Sequence, residues 1–465
     1  MIPVSLTWIS EQLDGQLSGA DITIQGVSTD TRTIKPGDLF IALVGPNFNG
    51  HEFIPTALEK GAAALIISEP QQVNVPTIVV HDTHKALGQL GAAIKAKVAP
   101  KTVGITGSSG KTTVKEMVAA ILARRGNVLA TDGNFNNDIG VPLTLLRLEQ
   151  QHEYAVIEMG ANHLGEIAYT TQLVKPDAAT IVNAAEAHLQ GFGSLLGVAR
   201  AKSEIFQGLN SAGVAVLNAD SQFHDFWATK LTDIQVQRFS LQQNADFCAR
   251  RATLGADGCA SFELVTPQGN AWVNLVLPGM HNVGNALVAA ALAMAVGATL
   301  DDVQLGLENM RQVKGRTNVY QLTSQVRLLD DTYNANVLSV NAAIDLLASY
   351  PGQRILVLGD MAELGEKARF YHEQVGEYAR NKGLELLFTL GVLSQHASTV
   401  FNGNGRHFSD IDTLISELES RLLDSELPIT ILVKGSRSAR MERVVDAIRE
   451  SRVGKLEFNP EAIAC

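Results

Sequence analysis

The chain has few cysteines, no excess of positive charge and no long apolar run. Its 465 residues include three cysteines, Cys248, Cys259 and Cys465, whose spacing matches no metal site and no disulfide framework. The formal net charge of -11 argues against nucleic acid as the main partner. No apolar run is long enough to span a membrane, and the N-terminus lacks the basic and apolar parts of a signal peptide. We therefore expect a cytoplasmic protein with no membrane partner.

A glycine-rich segment near residue 105 has the pattern of a phosphate-binding loop. Thr102–Ile105 is typical of a buried strand, Gly107 and Gly110 open a tight loop, and a helical pattern starts at Lys111. Glycine allows the backbone to turn so that its N–H groups surround phosphate oxygens. Lys111 can reach the outer phosphates, and the Thr112 hydroxyl can bind Mg²⁺. The strict pattern also needs glycine at position 105, which is isoleucine here, so an ordinary glycine-rich turn is the alternative.

Three residues that follow the loop are candidates for metal binding. Glu158 ends the predicted strand Tyr154–Glu158, and His188 follows the strand Ala178–Asn183. In an open parallel sheet such strand ends face the ligand crevice, although Glu158 could instead cap the next loop. Lys202 lies among apolar helix positions, where a bare ammonium is costly. One interpretation is that its ammonium group extends to solvent. The other is that the side chain is chemically modified or pairs with phosphate.

Polar residues that begin an alanine-rich helix suggest a site for a nucleotide base. His281, Asn282 and Asn285 fall in its first turn, and helix capping accounts for one asparagine but not for all three residues. The amide of asparagine suits the donor and acceptor edge of adenine. Arg316 follows this helix and could bind phosphate.

The two ends of the chain carry further polar clusters. Near the N-terminus these are Ser28, Thr29, Asp30 and Arg32, together with the loop Gly45–Phe53; by themselves they are typical of surface loops. In the C-terminal part, four apolar strands alternate with helices, which indicates a doubly wound parallel sheet. Polar residues at the carboxyl end of its last predicted strand suit an anionic substrate or form a solvated loop; they are Lys434, Ser436 and Arg437.

Length and pattern together predict an α/β protein of three domains. We place a small α/β domain at residues 1–84 and a central domain with a phosphate loop and a parallel sheet at 85–317. A C-terminal Rossmann-like, doubly wound domain occupies 318–465.

Taken together, these motifs resemble the Mur ligase family over nearly the whole chain. The family form of the phosphate loop, Thr-Gly-x-x-Gly-Lys-Thr-Thr, accounts for the unusual glycine spacing. The segments that carry the resemblance are Thr106–Thr113, Asp331–Asn336, Gly359–Gly365, Lys434–Arg437, Ser28–Arg32 and Gly50–Phe53. The chain departs from the family at Val337, where proline is usual, and at Asn47 and Asn49, where aspartate is common. The Asp-Asn-Pro-Arg motif of the preceding ligase is absent.

The resemblance implies a role for each candidate residue. The implied ATP contacts are Gly107, Ser108, Ser109, Gly110, Lys111, Thr112 and Thr113 for phosphate, Asn282 and Asn285 for adenine, Arg316 for phosphate and Asp331 for ribose. The implied ligands of two Mg²⁺ ions are Thr112, Glu158, His188 and Lys202, with Lys202 as a carbamate. The implied catalytic residues are Lys111, His188, Lys202 and Arg316. The implied substrate contacts are Ser28, Thr29, Asp30, Arg32, Asn334, Asn336, Lys434 and Ser436.

The resemblance also implies a reaction. ATP phosphorylates the C-terminal carboxylate of UDP-N-acetylmuramoyl-tripeptide, the amine of D-alanyl-D-alanine attacks the acyl phosphate, and phosphate leaves. We expect a monomer whose last domain closes about Lys314-Gly315. Two alternatives stay open, a folylpolyglutamate synthase and an ATP-dependent regulatory module without ligase activity. The third residue of the tripeptide, lysine or diaminopimelate, is left open.

Overall fold

The computed structural model describes residues 1–186, 189–424 and 427–453, and their strands form three large sheets and two small ones. His188, a predicted metal ligand and catalytic residue, lies outside the described residues. Within the described ranges, no helix is both long enough and apolar enough to cross a bilayer.

The first region contains a five-stranded sheet in the order β2-β9-β8-β5-β4, with β2 antiparallel to β9 and the other strands parallel. Two-stranded sheets pair β1 with β3 and β6 with β7. The elements are β1 (Val4–Ser5), α1 (Leu6–Leu13), β2 (Gln16–Ser18), β3 (Thr23–Ile24), β4 (Val27–Ser28), β5 (Leu39–Ile41), β6 (Val44–Gly45), β7 (Phe48–Asn49), α2 (Ile54–Glu59), β8 (Ala64–Ile67), β9 (Thr77–Val79) and α3 (Thr83–Val98).

The central region contains a nine-stranded sheet in the order β11-β12-β10-β13-β14-β15-β16-β17-β18. Its elements are β10 (Lys101–Thr106), α4 (Lys111–Leu122), β11 (Asn127–Ala130), α5 (Gly140–Leu145), β12 (His152–Glu158), α6 (Glu166–Val174), β13 (Ala178–Ile181), α7 (Leu189–Phe192), α8 (Leu195–Ser203), β14 (Val214–Asn218), α9 (His224–Ala228), β15 (Gln235–Ser240), β16 (Phe247–Leu254), β17 (Cys259–Thr266), β18 (Gly269–Pro278), α10 (His281–Ala295) and α11 (Leu300–Glu308). The seven strands from β11 to β16 in this order, β10 included, are parallel, as predicted. Helices cover both faces of the sheet.

An antiparallel extension of this sheet was not predicted from the sequence. Strands β16, β17 and β18 follow one another through short turns and pair antiparallel. Along β17 the residues alternate between buried and partly exposed, which is the pattern of a strand with one solvated face. The extension also contacts the last region, because the Tyr350 hydroxyl donates a hydrogen bond of 2.7 Å to the carbonyl oxygen of Asp257.

The last region is a doubly wound sheet, which confirms the predicted fold class. Its strand order is β19-β20-β24-β21-β22-β23; β19 is antiparallel to β20 and the other pairs are parallel. The elements are β19 (Asn318–Gln321), β20 (Val326–Asp331), α12 (Val337–Ala348), β21 (Gln353–Gly359), α13 (Ala368–Asn381), β22 (Leu386–Leu390), α14 (Gln395–Val400), β23 (Gly405–Phe408), α15 (Ile411–Asp424), β24 (Ile429–Lys434) and α16 (Glu442–Glu450). Helices α12 and α13 pack on one face, and α15 and α16 on the other.

The first and central regions share one hydrophobic core. Buried residues from β1, α1, β5 and β8 belong to the same cluster as residues of α3, α5, β12 and α6. Helix α3 begins at Thr83, where the Asp82 carboxylate accepts hydrogen bonds from two backbone amides, and it packs against both α1 and α5. The predicted boundary between residues 84 and 85 therefore falls within the first turn of a helix that joins the two regions.

Candidate active site

The loop between β10 and α4 is held in shape by the end of β13. The Ser109 amide donates to the Asn183 side-chain oxygen at 2.9 Å, and the Asn183 amide group donates back to the Ser109 carbonyl oxygen at 3.0 Å. The Ser108 hydroxyl donates to the carbonyl oxygen of Ala185 at 3.1 Å. Gly110 has φ of 78°, a left-handed conformation that favours glycine. Sequence reasoning gave Asn183 no role, although its position at a strand end was the available signal.

Lys111 curls back over this loop. Its Nζ donates a hydrogen bond of 2.8 Å to the carbonyl oxygen of Gly107. Burial lowers the pKa of Lys111, the nearby Glu158 carboxylate opposes that shift, and Arg316 adds to it. The amine is therefore already placed where a phosphate in the loop would meet it.

Glu158 is buried at the end of β12 and is bound by neutral donors. The Thr112 hydroxyl donates to Oε2 at 3.0 Å, and Asn136 Nδ2 donates to Oε1 at 2.8 Å. Arg316 Nη2 in turn donates to the Thr112 oxygen at 3.2 Å, and its guanidinium lies 4.2 Å from the centre of the Tyr333 ring. The structure thus brings together Thr112, Glu158 and Arg316, for which metal or phosphate binding was predicted. It adds Asn136, a loop residue to which the sequence analysis gave no role.

Lys202 is only 2% exposed, so its tip does not reach solvent. It lies on α8 beside the apolar residues Val198 and Ala201. Burial lowers the pKa of Lys202 well below its usual value, and the Lys111 cation lowers it further. Lys202 is therefore a buried amine held toward its neutral form. In the described part of the chain, no three His, Cys, Asp or Glu side chains form a metal cluster.

These groups face one cavity between the central and last sheets, with a volume of about 660 Å³. The central region contributes the phosphate loop, Glu158, Lys202 and Arg316, and the last region contributes Asn334 and Asn336. Asn336 also caps α12 and donates a hydrogen bond of 3.1 Å to the carbonyl oxygen of Ser108 in the phosphate loop. A ligand in this cavity would contact both regions at once.

A second cavity of about 320 Å³ contains the residues predicted to bind adenosine. Asn282 Nδ2 donates to the Pro278 carbonyl oxygen, and Asn285 Nδ2 donates to Asn282 Oδ1, both at 2.8 Å. Lys434, which is 2% exposed, forms an ion pair of 2.5 Å with Asp331. Burial lowers the pKa of Lys434, and the Asp331 charge opposes that shift. The predicted ribose contact and the predicted substrate lysine are therefore partners of each other.

The other predicted substrate residues line neither cavity. The Ser436 hydroxyl lies 3.1 Å from that of Ser438.

In the first region, Ser28 and Asp30 form a hydrogen-bonded turn that includes Thr29. Arg32 pairs with Asp30 at 2.6 Å and leaves most of its side chain exposed. Its guanidinium hydrogen bonds lower the pKa of the Asp30 carboxyl. This turn is an exposed anion-binding candidate separate from the two cavities.

Comparison with known proteins relates this geometry to a family. Three family models match the chain: the Mur ligase family, catalytic domain, at residues 23–108; the Mur ligase middle domain at 105–293; and the Mur ligase, glutamate ligase domain, at 315–437. The chain belongs to the Mur ligase family. This confirms the resemblance inferred from the motifs.

Individual members of the Mur ligase family match over almost the full length. The chain is 50% identical to the UDP-N-acetylmuramoyl-tripeptide–D-alanyl-D-alanine ligase of Escherichia coli strain K12, over 97% of this chain and 99% of that protein. A crystal structure of MurF from Acinetobacter baumannii has a TM-score of 0.92 at 35% identity, covering 97% and 99% of the two chains. MurF ligase from Thermotoga maritima in complex with ADP has a TM-score of 0.82 at 27% identity, covering 92% and 98%.

Proposed function

We propose that this protein is an ATP-dependent ligase that joins D-alanyl-D-alanine to UDP-N-acetylmuramoyl-tripeptide through an acyl phosphate. The observation that carries the proposal is the cavity in which Lys111, Glu158 and Lys202 face residues of the last sheet. The near full-length similarity to the UDP-N-acetylmuramoyl-tripeptide–D-alanyl-D-alanine ligase of Escherichia coli supports this choice of substrates. The similarity to a MurF ligase that was crystallised with ADP supports nucleotide binding.

The proposed reaction transfers the outer phosphate of ATP to the tripeptide carboxylate, so the protein must stabilise charge on phosphoryl oxygens. The loop amides and Lys111 bind the phosphates, and Lys111 Nζ exchanges the Gly107 carbonyl for a phosphate oxygen. Arg316, held at Thr112 and backed by the Tyr333 ring, supplies a second positive charge. Attack by the dipeptide amine then displaces phosphate.

The donor set around Glu158 fits Mg²⁺, which prefers oxygen ligands. Glu158 and Thr112 supply oxygens from adjacent elements, and a buried carboxylate without a paired cation is costly. We propose that Lys202 carries a carbamate, which converts a buried amine into a further oxygen ligand for a second ion, with His188 as the remaining ligand. Mg²⁺ bound there would neutralise phosphate charge.

We propose that adenosine occupies the second cavity, where Asn282 and Asn285 meet adenine. Asp331 gives one carboxylate oxygen to Lys434 and can offer the other to ribose. In this assignment Lys434 orients Asp331, and its contact with substrate stays a prediction.

We propose that the domains at 1–84, 85–317 and 318–465 bind the UDP end of the substrate, ATP and the dipeptide respectively. We also propose that the protein acts as a cytoplasmic monomer in peptidoglycan precursor synthesis. Closure about Lys314-Gly315 stays a prediction; Gly315 has φ of 71°, and its amide donates to the Asn318 side chain.

The decisive experiment measures phosphate release from ATP with each substrate omitted in turn. The proposed ligase requires both UDP-N-acetylmuramoyl-tripeptide and D-alanyl-D-alanine. Release without either substrate would favour a regulatory ATPase. Release that depends on folate and glutamate would favour a folylpolyglutamate synthase.

We predict that Arg32→Ala raises the KM for UDP-N-acetylmuramoyl-tripeptide about tenfold, because one charge-assisted contact with the anionic substrate is lost. Steady-state kinetics at saturating ATP and dipeptide would measure this, with Lys35→Ala as the control on the same exposed segment. Equal KM values for the two variants would show that this turn does not bind the UDP end.

A further inference from the structure

One carboxylate on the wall of the 660 Å³ cavity has an oxygen without a donor. Glu442 is the first residue of α16 and lines this cavity together with Arg437. Its Oε1 accepts a hydrogen bond of 3.0 Å from Arg437 Nη1. Its Oε2 is buried and, within the described ranges, is the one buried carboxylate oxygen that has no hydrogen-bond partner. Such an oxygen is costly unless a donor reaches it.

The backbone around Glu442 is closely packed, so its position is well defined. Met441, immediately before it, is buried against two glycines at the ends of neighbouring strands, Gly359 and Gly435. A Cβ atom would lie 2.7 Å from the Met441 side chain at Gly359 and 2.5 Å from it at Gly435. Glycine at both strand ends therefore admits Met441, and Met441 anchors the start of α16.

The other carboxylates on this cavity wall already have donors. Glu158 accepts hydrogen bonds on both oxygens, from Thr112 and Asn136. Glu166 also accepts on both, from the Asn162 amide and from His163. Asp330, which also lines the cavity, accepts hydrogen bonds from the Thr332 amide and hydroxyl, both on Oδ1. Among these four carboxylates, Glu442 is the one with a buried oxygen that lacks a partner.

Arg437 supplies the opposite charge. The three strand-end residues expected to suit an anionic substrate are Lys434, Ser436 and Arg437. Lys434 is buried in an ion pair with Asp331, and Ser436 lines neither cavity. Arg437 lines the larger cavity and is 67% exposed. A cation and an anion thus face the same space, held in a pair that solvent can enter.

We propose that Arg437 and Glu442 together recognise the zwitterionic dipeptide, with Glu442 accepting hydrogen bonds from its ammonium and Arg437 binding its terminal carboxylate. This inference rests on the proposed function and adds the residues that select the second substrate. The dipeptide carries one charge of each sign, so it can enter between the two side chains and replace their mutual ion pair. The ammonium then provides the donor that Oε2 lacks, and the amine is held in the cavity that contains the phosphate loop.

The test compares Glu442→Gln with Glu450→Gln, an exposed position at the other end of the same helix. Glutamine keeps the shape of the side chain and removes its charge. We expect Glu442→Gln to raise the KM for D-alanyl-D-alanine at least about tenfold. The KM values for ATP and UDP-tripeptide should stay unchanged, and Glu450→Gln should match the wild type.

An uncharged analogue separates recognition of the ammonium from a general structural effect. D-lactoyl-D-alanine has a hydroxyl in place of the ammonium and would be used as a competitive inhibitor. The wild type should prefer the dipeptide over this analogue, and Glu442→Gln should lose most of that preference. Arg437→Ala should instead lose the preference for the dipeptide over its C-terminal amide.

Equal dipeptide KM values for Glu442→Gln and Glu450→Gln would overturn the inference, as would an unchanged preference for the dipeptide over the hydroxyl analogue. A wild type that forms no product from D-alanyl-D-alanine would overturn the proposed function itself. Wild-type product formation is therefore measured first, so that the two failures are distinguished.

Discussion

Replacing Lys111 with alanine should lower the ATP-dependent ligation rate by about a thousandfold or more, the scale at which a cation stabilises phosphoryl transfer. Lys111 is the cation whose amine already bonds to the phosphate loop, through the Gly107 carbonyl oxygen. Its loss would remove the cation proposed to bind the transferred phosphate and would leave the backbone of the loop in place. The fold should survive, because the loop is held by Asn183 and by the Ser108 hydroxyl.

Lys101→Ala is the matched control, because Lys101 begins β10, the strand that leads into the loop, and its side chain is 65% exposed. Product formation would be measured for both variants, and circular dichroism would verify that both are folded. If Lys111→Ala turned over at the rate of Lys101→Ala, the phosphate-binding role of the loop would be wrong.

Lys202→Arg should lower the ligation rate about a hundredfold while ATP binding persists. Arginine keeps a positive charge and cannot carry CO₂, so it would repel the Mg²⁺ expected near Glu158. Lysine at this position is buried, and its lowered pKa favours the neutral amine that carbamate formation needs. ATP affinity from a binding titration and turnover from phosphate release would separate the two effects.

The same hypothesis predicts how the wild type responds to CO₂ and pH. Removing bicarbonate should slow the wild type and leave Lys202→Arg unchanged. Since the pKa of Lys202 is lowered, its amine stays neutral to a lower pH than that of a free lysine, and activity should fall as acid protonates it. If the arginine variant turned over at the wild-type rate, Lys202 would have only a structural role and the hypothesis of a second metal ion would be wrong.

Local patterns predicted the parts of the site that lie within one strand–loop–helix unit. Gly107, Lys111 and Thr112 follow β10 directly, and Glu158 ends a parallel neighbour of that strand. Glycine spacing and apolar runs are local signals, so the loop and the strand end could be located without a structure. The predicted parallel sheet and the doubly wound last region follow from the same alternation of strands and helices.

Contacts between distant residues could not be read from those patterns. Asn183 lies 74 residues from the serine that it holds, and Asn136 lies 22 residues from Glu158. The pairing of Lys434 with Asp331 joins residues 103 positions apart. In each case a polar side chain satisfies a polar group far away in the sequence, and only the folded chain shows which partner it has.

The antiparallel extension was missed for a different reason. Its strands are only half-buried, and short turns replace the helices that marked the other crossovers. A search for apolar runs followed by helices detects buried parallel strands and overlooks such an extension.

The core shared by the first and central regions has a consequence for how this protein loses its structure. Because α1, α3 and α5 bury one another, the first region cannot separate from the central region without exposing apolar surface on both. The two regions should therefore melt as one cooperative unit, although they are proposed to bind different substrates. A destabilising substitution in the core of the first region would then lower the temperature at which the phosphate loop unfolds, without changing any group proposed to contact ATP.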